Sequence, residues 1–179
     1  MMFSATISQN IQKLGKKYLH NPVSVTVSQR RDVVTLIKHR AFKVDKKRKT
    51  ELLAHLLKKY KTKQVLVFVN MKEDIDTVTS YLVKNNINAV SLHGDIDFKI
   101  RTNNIKQFRA GKVQVLVATD IAGRGIDIKN LPLVINYELP EATDEFTHRV
   151  GRTGRANNKG EVISLLTVSD YNRFTKIER

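Results

Sequence analysis

Apolar residues in this chain follow two rhythms. At Gln64–Asn70, QVLVFVN, and at Val113–Thr119, VQVLVAT, they run almost without interruption and are rich in valine. Such runs suit strands of a parallel sheet covered on both faces. Elsewhere they recur every three or four residues. Leu52, Leu53, Leu56 and Leu57 mark one helix in KKRKTELLAHLLKKY, and further helices are expected around Glu73–Asn85, Phe98–Arg109 and Thr143–Arg149, with a last one from Ser169. Arg40–Val44, NAVSL, LPLVINYE and GEVISLLT supply the remaining strand candidates. Strand–helix alternation with apolar central strands predicts an α/β fold, a three-layer α/β/α sandwich around a mostly parallel sheet. Ligands of such folds gather beyond the carboxyl ends of the strands. Asn70, His93-Gly94, Thr119-Asp120 and the glycines after them are expected there.

Residues 1–36 read differently. A helix-like SQNIQKLGKKYL breaks at HNP and continues into the polar, β-prone VSVTVSQRRD. This stretch is expected to be a connector, leaving a single domain over 37–179. The first residues lack the basic-then-apolar order of a signal peptide, and no apolar run approaches the roughly 18 residues of a membrane span. With no cysteine, thiolate metal sites and disulfides are excluded. A soluble monomer is expected, cytoplasmic or, in a eukaryote, nuclear.

Charge sharpens the picture: 32 Lys and Arg against 17 Asp and Glu give +15. The surplus is uneven, with eleven basic and two acidic residues between Lys38 and Lys63. Each lysine there reads as a solvated helix face, but the cluster as a whole favours a polyanion, nucleic acid before membrane.

Two glycine-bearing stretches carry candidate chemistry. Ala118–Ile128, ATDIAGRGIDI, contains Gly123-x-Gly125, yet the third glycine of a dinucleotide fingerprint is replaced by Ile128. No GxxxxGK[ST] phosphate loop occurs anywhere, so the chain owns no visible loop that would grip a nucleoside triphosphate tightly. Asp127, Arg124 and Thr119 could contact ribose and phosphate. Thr119 or Asp120 could equally cap the next helix, and Arg124 could pair with a carboxylate.

The second stretch, His148–Arg155, is HRVGRTGR. It has no obvious anion of its own. Arg149, Arg152 and Arg155 recur every three residues, so a helical turn would cluster them. Gly151 and Gly154 each cost a helix interior about 1 kcal/mol, and are expected instead to let backbone approach a large partner.

Taken in order, these segments resemble the C-terminal RecA-like domain of a DEAD-box RNA helicase. Phe3–Thr6, FSAT, resembles the Ser-Ala-Thr motif that closes the preceding domain, and VLVFVN the strand of motif IV. His93–Arg101, HGDIDFKIR, resembles the HGxxxQxxR segment, and QFRAGKVQVLVATDIAGRGIDI the helix, strand and motif V. HRVGRTGR matches motif VI, with His148 where DEAH-type and RecQ-type relatives usually carry glutamine.

The resemblance implies roles. Arg152 and Arg155 would be arginine fingers acting on ATP, which with Mg²⁺ is held mainly by an N-terminal RecA-like domain. Asp127 would contact the ribose, Gly125 would lie at the nucleotide, and His148 would link the two domains. Asn70, Gly94, Arg101, Thr119 and Arg124 would grip RNA by its backbone, without sequence preference. Arg149 would mainly position its loop. The chain departs from the pattern at Phe98, where glutamine is usual, and at Asn157, where glycine is usual. The Q motif, phosphate loop and Asp-Glu-Ala-Asp motif are absent from it, so it is expected to be inactive alone. The other function class kept open is a stand-alone RNA-binding or regulatory module.

Overall fold

Six strands, all parallel, form one sheet in the order β1-β6-β5-β2-β4-β3. They are β1 (Ile37–Lys43), β2 (Val65–Phe68), β3 (Ala89–Leu92), β4 (Val115–Ala118), β5 (Leu133–Asn136) and β6 (Gly160–Leu166). The computed structural model describes residues 1–2, 9–25, 37–60, 64–123, 128, 130–154 and 159–177. Two compact units are present, Met1–Arg31 and Asp32–Arg179. The first contains helix α1 (Gln9–Tyr18), whose end is marked by the Leu19 amide donating to the Gly15 carbonyl. The Ser-Ala-Thr segment at Phe3–Thr6 lies outside the described residues.

In the second unit, α2 (Lys49–Tyr60) and α3 (Lys72–Lys84) cover one face of the sheet. Leu53, Leu56, Leu57, Ile75, Val78 and Leu82 from these helices pack on Val65, Val67, Val115, Val117, Leu133, Ile135 and Ile163. On the other face lie α4 (Phe98–Arg109), α5 (Asp120–Gly123) and α6 (Thr143–Val150). Phe108, Ala122 and Val150 meet Leu66, Phe68, Leu116, Ala118, Val134 and Val162 there. The split is period-two alternation along β2, β4 and β5, with both faces apolar because both are covered. The three layers expected from the sequence are therefore present. A 3₁₀ turn at Val168–Asp170 and α7 (Tyr171–Ile177) end the unit. No helix among the described residues is long and apolar enough to cross a membrane.

Strand β1 begins three residues before the expected Arg40, because Ile37 pairs with Gly160 and the register runs to Lys43 opposite Leu166. Its pattern is hard to read because it is an edge strand with most side chains exposed. Lys38, Arg40 and Lys43 make that edge charged, which discourages pairing with another sheet. Arg40 Nε also pairs across the strand boundary with Glu161 Oε1 at 2.8 Å.

Lys49 and Asp170 are both buried polar groups, and they tie α2 to the 3₁₀ turn before α7. Lys49 Nζ lies 4.0 Å from Asp170 Oδ2 and 5.3 Å from the Tyr137 ring centroid. Burial lowers the Lys49 ammonium from its ordinary value, against the pull of Asp170. Burial alone would raise the Asp170 carboxyl. The Thr167 hydroxyl and amide, with Lys49 and Arg173, more than offset that and hold it below the usual carboxylate value.

Candidate functional site

The strand ends place the site. Beyond the carboxyl ends of β2, β3 and β4, a cleft of about 550 Å³ is lined by Asn70, Gly94, Arg101 and Thr119, together with Met71, Lys72 and Ile121. Four of the five residues that the resemblance assigns to RNA are thus neighbours here. The fifth, Arg124, lies outside the described residues, as do Gly125, Asp127 and Arg155.

The four differ in what they can still offer. Gly94 is exposed, and a Cβ built on it would meet nothing within 4 Å, so internal packing does not demand glycine there. Arg101 extends from α4, and its guanidinium makes no hydrogen bond or ion pair to any described residue. Its neighbour Lys72 is held by Asp95 at 2.6 Å. Thr119 caps α5, its hydroxyl oxygen accepting from the Ala122 amide at 3.3 Å, which leaves its O–H to donate outward. Asn70 donates from Nδ2 to the Leu139 carbonyl at 2.8 Å and accepts on Oδ1 from Arg149 at 2.7 Å. Its side chain thus supports the cleft wall from within. Carboxylates also line the cleft: Glu73, Asp120, Glu141 and Glu145. Asp120 is neutralised by Arg149 and Glu141 by Arg173.

Arg149 corrects two expectations about HRVGRTGR. Its guanidinium is only 1% exposed and does have an internal anion. Nε and Nη2 donate to the two oxygens of Asp120, Nη1 donates to Asn136 Oδ1 and the Glu138 carbonyl, and Nη2 also donates to Asn70 Oδ1, so all five N–H donors are used. The Phe68 ring lies beneath it, 4.9 Å from the guanidinium carbon. One side chain thereby ties α6 to the ends of β2, β4 and β5. It positions the cleft floor as well as its own loop.

Nor does a continuous helix cluster the three arginines. Helix α6 ends at Val150, with Gly151 as its C-cap, and Arg152 already lies beyond it. The turn is fastened to the sheet side of the domain: the Leu131 amide donates to the Arg152 carbonyl at 3.1 Å, and the Thr153 hydroxyl donates to the Leu131 carbonyl. Gly154 has φ +66°, and a Cβ there would sit 2.2 Å from Ile37 Cγ1. Its lack of a side chain serves the chain's own close approach to β1, where the sequence suggests a large partner. Arg152 is half-buried on this turn. His148, also half-buried, has a buried Nδ1 with no hydrogen bond to any described residue.

Sequence reasoning missed Asp120 as the partner of Arg149. The only signal was an acidic residue directly after a buried strand, and helix capping explained it equally well. It placed His93 at the strand ends but not its burial beside Gly94, where Nε2 is 3.3 Å from Asp76 Oδ1 and Nδ1 meets no partner among the described residues.

Comparison with known proteins places this arrangement in context. Residues 48–157 match the family described as the helicase conserved C-terminal domain. The chain is 35% identical over 179 residues to the DEAD-box ATP-dependent RNA helicase RhpA of Helicobacter pylori, covering all of this chain and 36% of that protein. It is 37% identical over 182 residues to the ATP-dependent RNA helicase FAL1 of Candida glabrata, covering all of this chain and 45% of that protein. The chain therefore spans less than half the length of these relatives. Among solved structures, the E. coli DEAD-box protein SrmB, bound to the regulator of ribonuclease activity A, is 37% identical with a TM-score of 0.74. That match covers 79% of this chain and 84% of the SrmB chain.

Proposed function

Because the chain belongs to the helicase conserved C-terminal domain family, as the C-terminal RecA-like domain of a DEAD-box RNA helicase, we propose that it acts as one half of an ATP-dependent RNA-remodelling enzyme. In this reading it binds RNA backbone in the cleft at Gly94, Arg101 and Thr119. It also contributes Arg152 and Arg155 to an ATP site completed by an N-terminal RecA-like domain. The observation that carries the proposal is Arg101: a cationic side chain without an acceptor among the described residues, beside a glycine that internal packing does not require.

The residues present fit a polyphosphate from one side only. Arg152 sits on a turn braced by Leu131 and Ile37, a rigid mount for a cation. Among the described residues no group of three or more His, Asp or Glu side chains is arranged to hold a metal ion. Mg²⁺ is assigned to the N-terminal domain. What ATP supplies in such a pair is a transferable phosphoryl group. Arg152 and Arg155 offset the charge that develops on the phosphoryl oxygens, a contribution of about 10³–10⁵ in rate for fingers of this kind. By the resemblance, Asp127 would accept hydrogen bonds from the ribose and Gly125 would meet the nucleotide. His148, whose buried Nδ1 has no partner among the described residues, would link this site to the other domain. RNA is held through phosphate and 2′-hydroxyl, without base readout at these residues. The chain acts as a monomer and is inactive alone.

The test is complementation. The 179-residue chain is mixed with the N-terminal half of a DEAD-box helicase, and RNA-stimulated ATP hydrolysis is measured. Activity in the mixture that neither half shows alone, and that disappears with Arg152→Ala, is expected. Hydrolysis by this chain alone would overturn the divided-site reading. RNA binding without any complementation would favour the stand-alone RNA-binding module.

A further inference from the structure

Phe98 is 79% exposed at the first position of α4. It belongs to neither apolar cluster of the domain. A helix start gains nothing from an aromatic residue. Nor does a hydrophobic staple explain it, because that device pairs the residue before the N-cap with the fourth helical residue, here Ile96 with Arg101. An isolated exposed apolar residue is ordinary on a protein surface. Phe98 is not isolated. It lies one turn before Arg101, and residues three apart share a helix face, so Phe98 stands on the side of α4 that carries Arg101, although it is not itself one of the residues lining the cleft. Within that cleft Met71 is 62% and Ile121 83% exposed. A site built only for phosphate and ribose has no use for this apolar surface.

We propose that Phe98 is a stacking platform for one base of single-stranded RNA, the base of a nucleotide whose phosphate is held by Arg101. This rests on the RNA-binding reading given above. The backbone that carries the ring is fixed, because the Asp97 side chain caps α4 by accepting from the Lys99 amide at 2.8 Å and Phe98 is the first residue of that capped helix. The charge of α4 selects a nucleic acid over an apolar protein partner. The helix carries Lys99, Arg101, Lys106 and Arg109 and no acidic residue. Every base has a π-face, so the contact adds affinity without choosing a sequence. It also gives a chemical consequence to the phenylalanine standing where the resembled motif usually has glutamine: a polar contact is exchanged for stacking.

Fluorescence anisotropy with the 179-residue chain tests this, using short oligouridylate and the same RNA backbone carrying abasic positions. Phe98→Ala is expected to weaken binding of the base-bearing RNA at least about fivefold, the lower range for one base on an aromatic ring. It should leave the abasic RNA unaffected, and Phe98→Trp should preserve tight binding. Ile100→Ala, an exposed apolar change on the same helix, should alter neither. Raising salt should shrink the Arg101→Ala defect but not that of Phe98→Ala, since only the former releases counterions. If Phe98→Ala binds both RNAs like wild type while Arg101→Ala is weakened, the stacking proposal is wrong and the cleft reading stands. Equal weakening of both RNAs by Phe98→Ala also overturns stacking. Wild-type chain that binds neither RNA, or Arg101→Ala without effect, overturns the cleft reading itself.

Discussion

The buried Arg149 and the half-buried Asp120 form a bidentate ion pair between the end of α6 and the start of α5, with Nε donating to Oδ1 at 2.8 Å and Nη2 donating to Oδ2. It is the point where the loop after β4 and the arginine-rich turn become one structure. Removing one partner of such a pair leaves a charge unpaired at low exposure. Arg149→Ala is expected to cost about 3–5 kcal/mol, measured by urea denaturation. Arg149→Lys should recover only part of this, because an ammonium cannot reproduce the fork that engages Asp120, Asn136, Glu138 and Asn70. A loss below about 1 kcal/mol for Arg149→Ala would show that the network does not hold the site together.

Two glycines should separate stability from binding. Gly154→Ala forces a side chain into the left-handed region and onto Ile37, so a loss of about 1–3 kcal/mol is expected. Gly94→Ala meets only open space and should stay within about 0.5 kcal/mol of wild type. The same change should weaken RNA binding if backbone approaches there. Paired thermal melts and anisotropy titrations check both, and equal melting temperatures for the two variants would refute the distinction.

Asp170 links stability to acid pH. Its folded carboxyl titrates below the ordinary value of 3.8, so its contribution is present above that value and disappears as pH falls through the lower, folded one. Thermal stability of wild type and Asp170→Asn, compared from neutral pH downward, should therefore converge only in strong acid. Constant separation across the range would exclude the linkage. At neutral pH, Asp170→Ala should cost about 3 kcal/mol by leaving Lys49 buried beside fewer carboxylates.

For the proposed ATP site, the expected magnitude is large. Arg152→Ala should reduce complemented ATP hydrolysis by about 10³-fold or more, the low end for an arginine finger. RNA binding by the cleft residues should be retained, since Arg152 lies on the turn after α6 and not among the residues lining the cleft. Hydrolysis reduced only a few-fold would assign Arg152 a positioning role.

Much of the fold was legible in the sequence. VLVFVN and VQVLVAT read as buried strands because both of their faces are covered, and covered faces leave no polar alternation to confuse the reading. Helices α3 and α4 were located to within a residue or so at each end by their apolar spacing. Strand β1 was displaced because an edge strand with solvent-facing residues carries little apolar signal. The cleft was legible as residue types at strand ends. Which of them remain available was not: Asn70 and Arg101 look equally polar in sequence, yet one is held from inside and the other has no partner among the described residues.

By itself, the sequence determined which segments become strands and helices, that the strand ends would gather Asn70, His93-Gly94 and Thr119-Asp120, and that the excess charge favours a polyanion. These follow from local periodicity and from the geometry of parallel sheets. Only the tertiary structure decided the meaning of the arginines. Arg149 and Arg152 are three residues apart and chemically alike, but the helix ends between them. One guanidinium is carried under the sheet ends to Asp120, twenty-nine positions away in the chain, while the other stays on a surface turn. Pairing across such separations depends on where the packed strands deliver each end, and no local pattern encodes that.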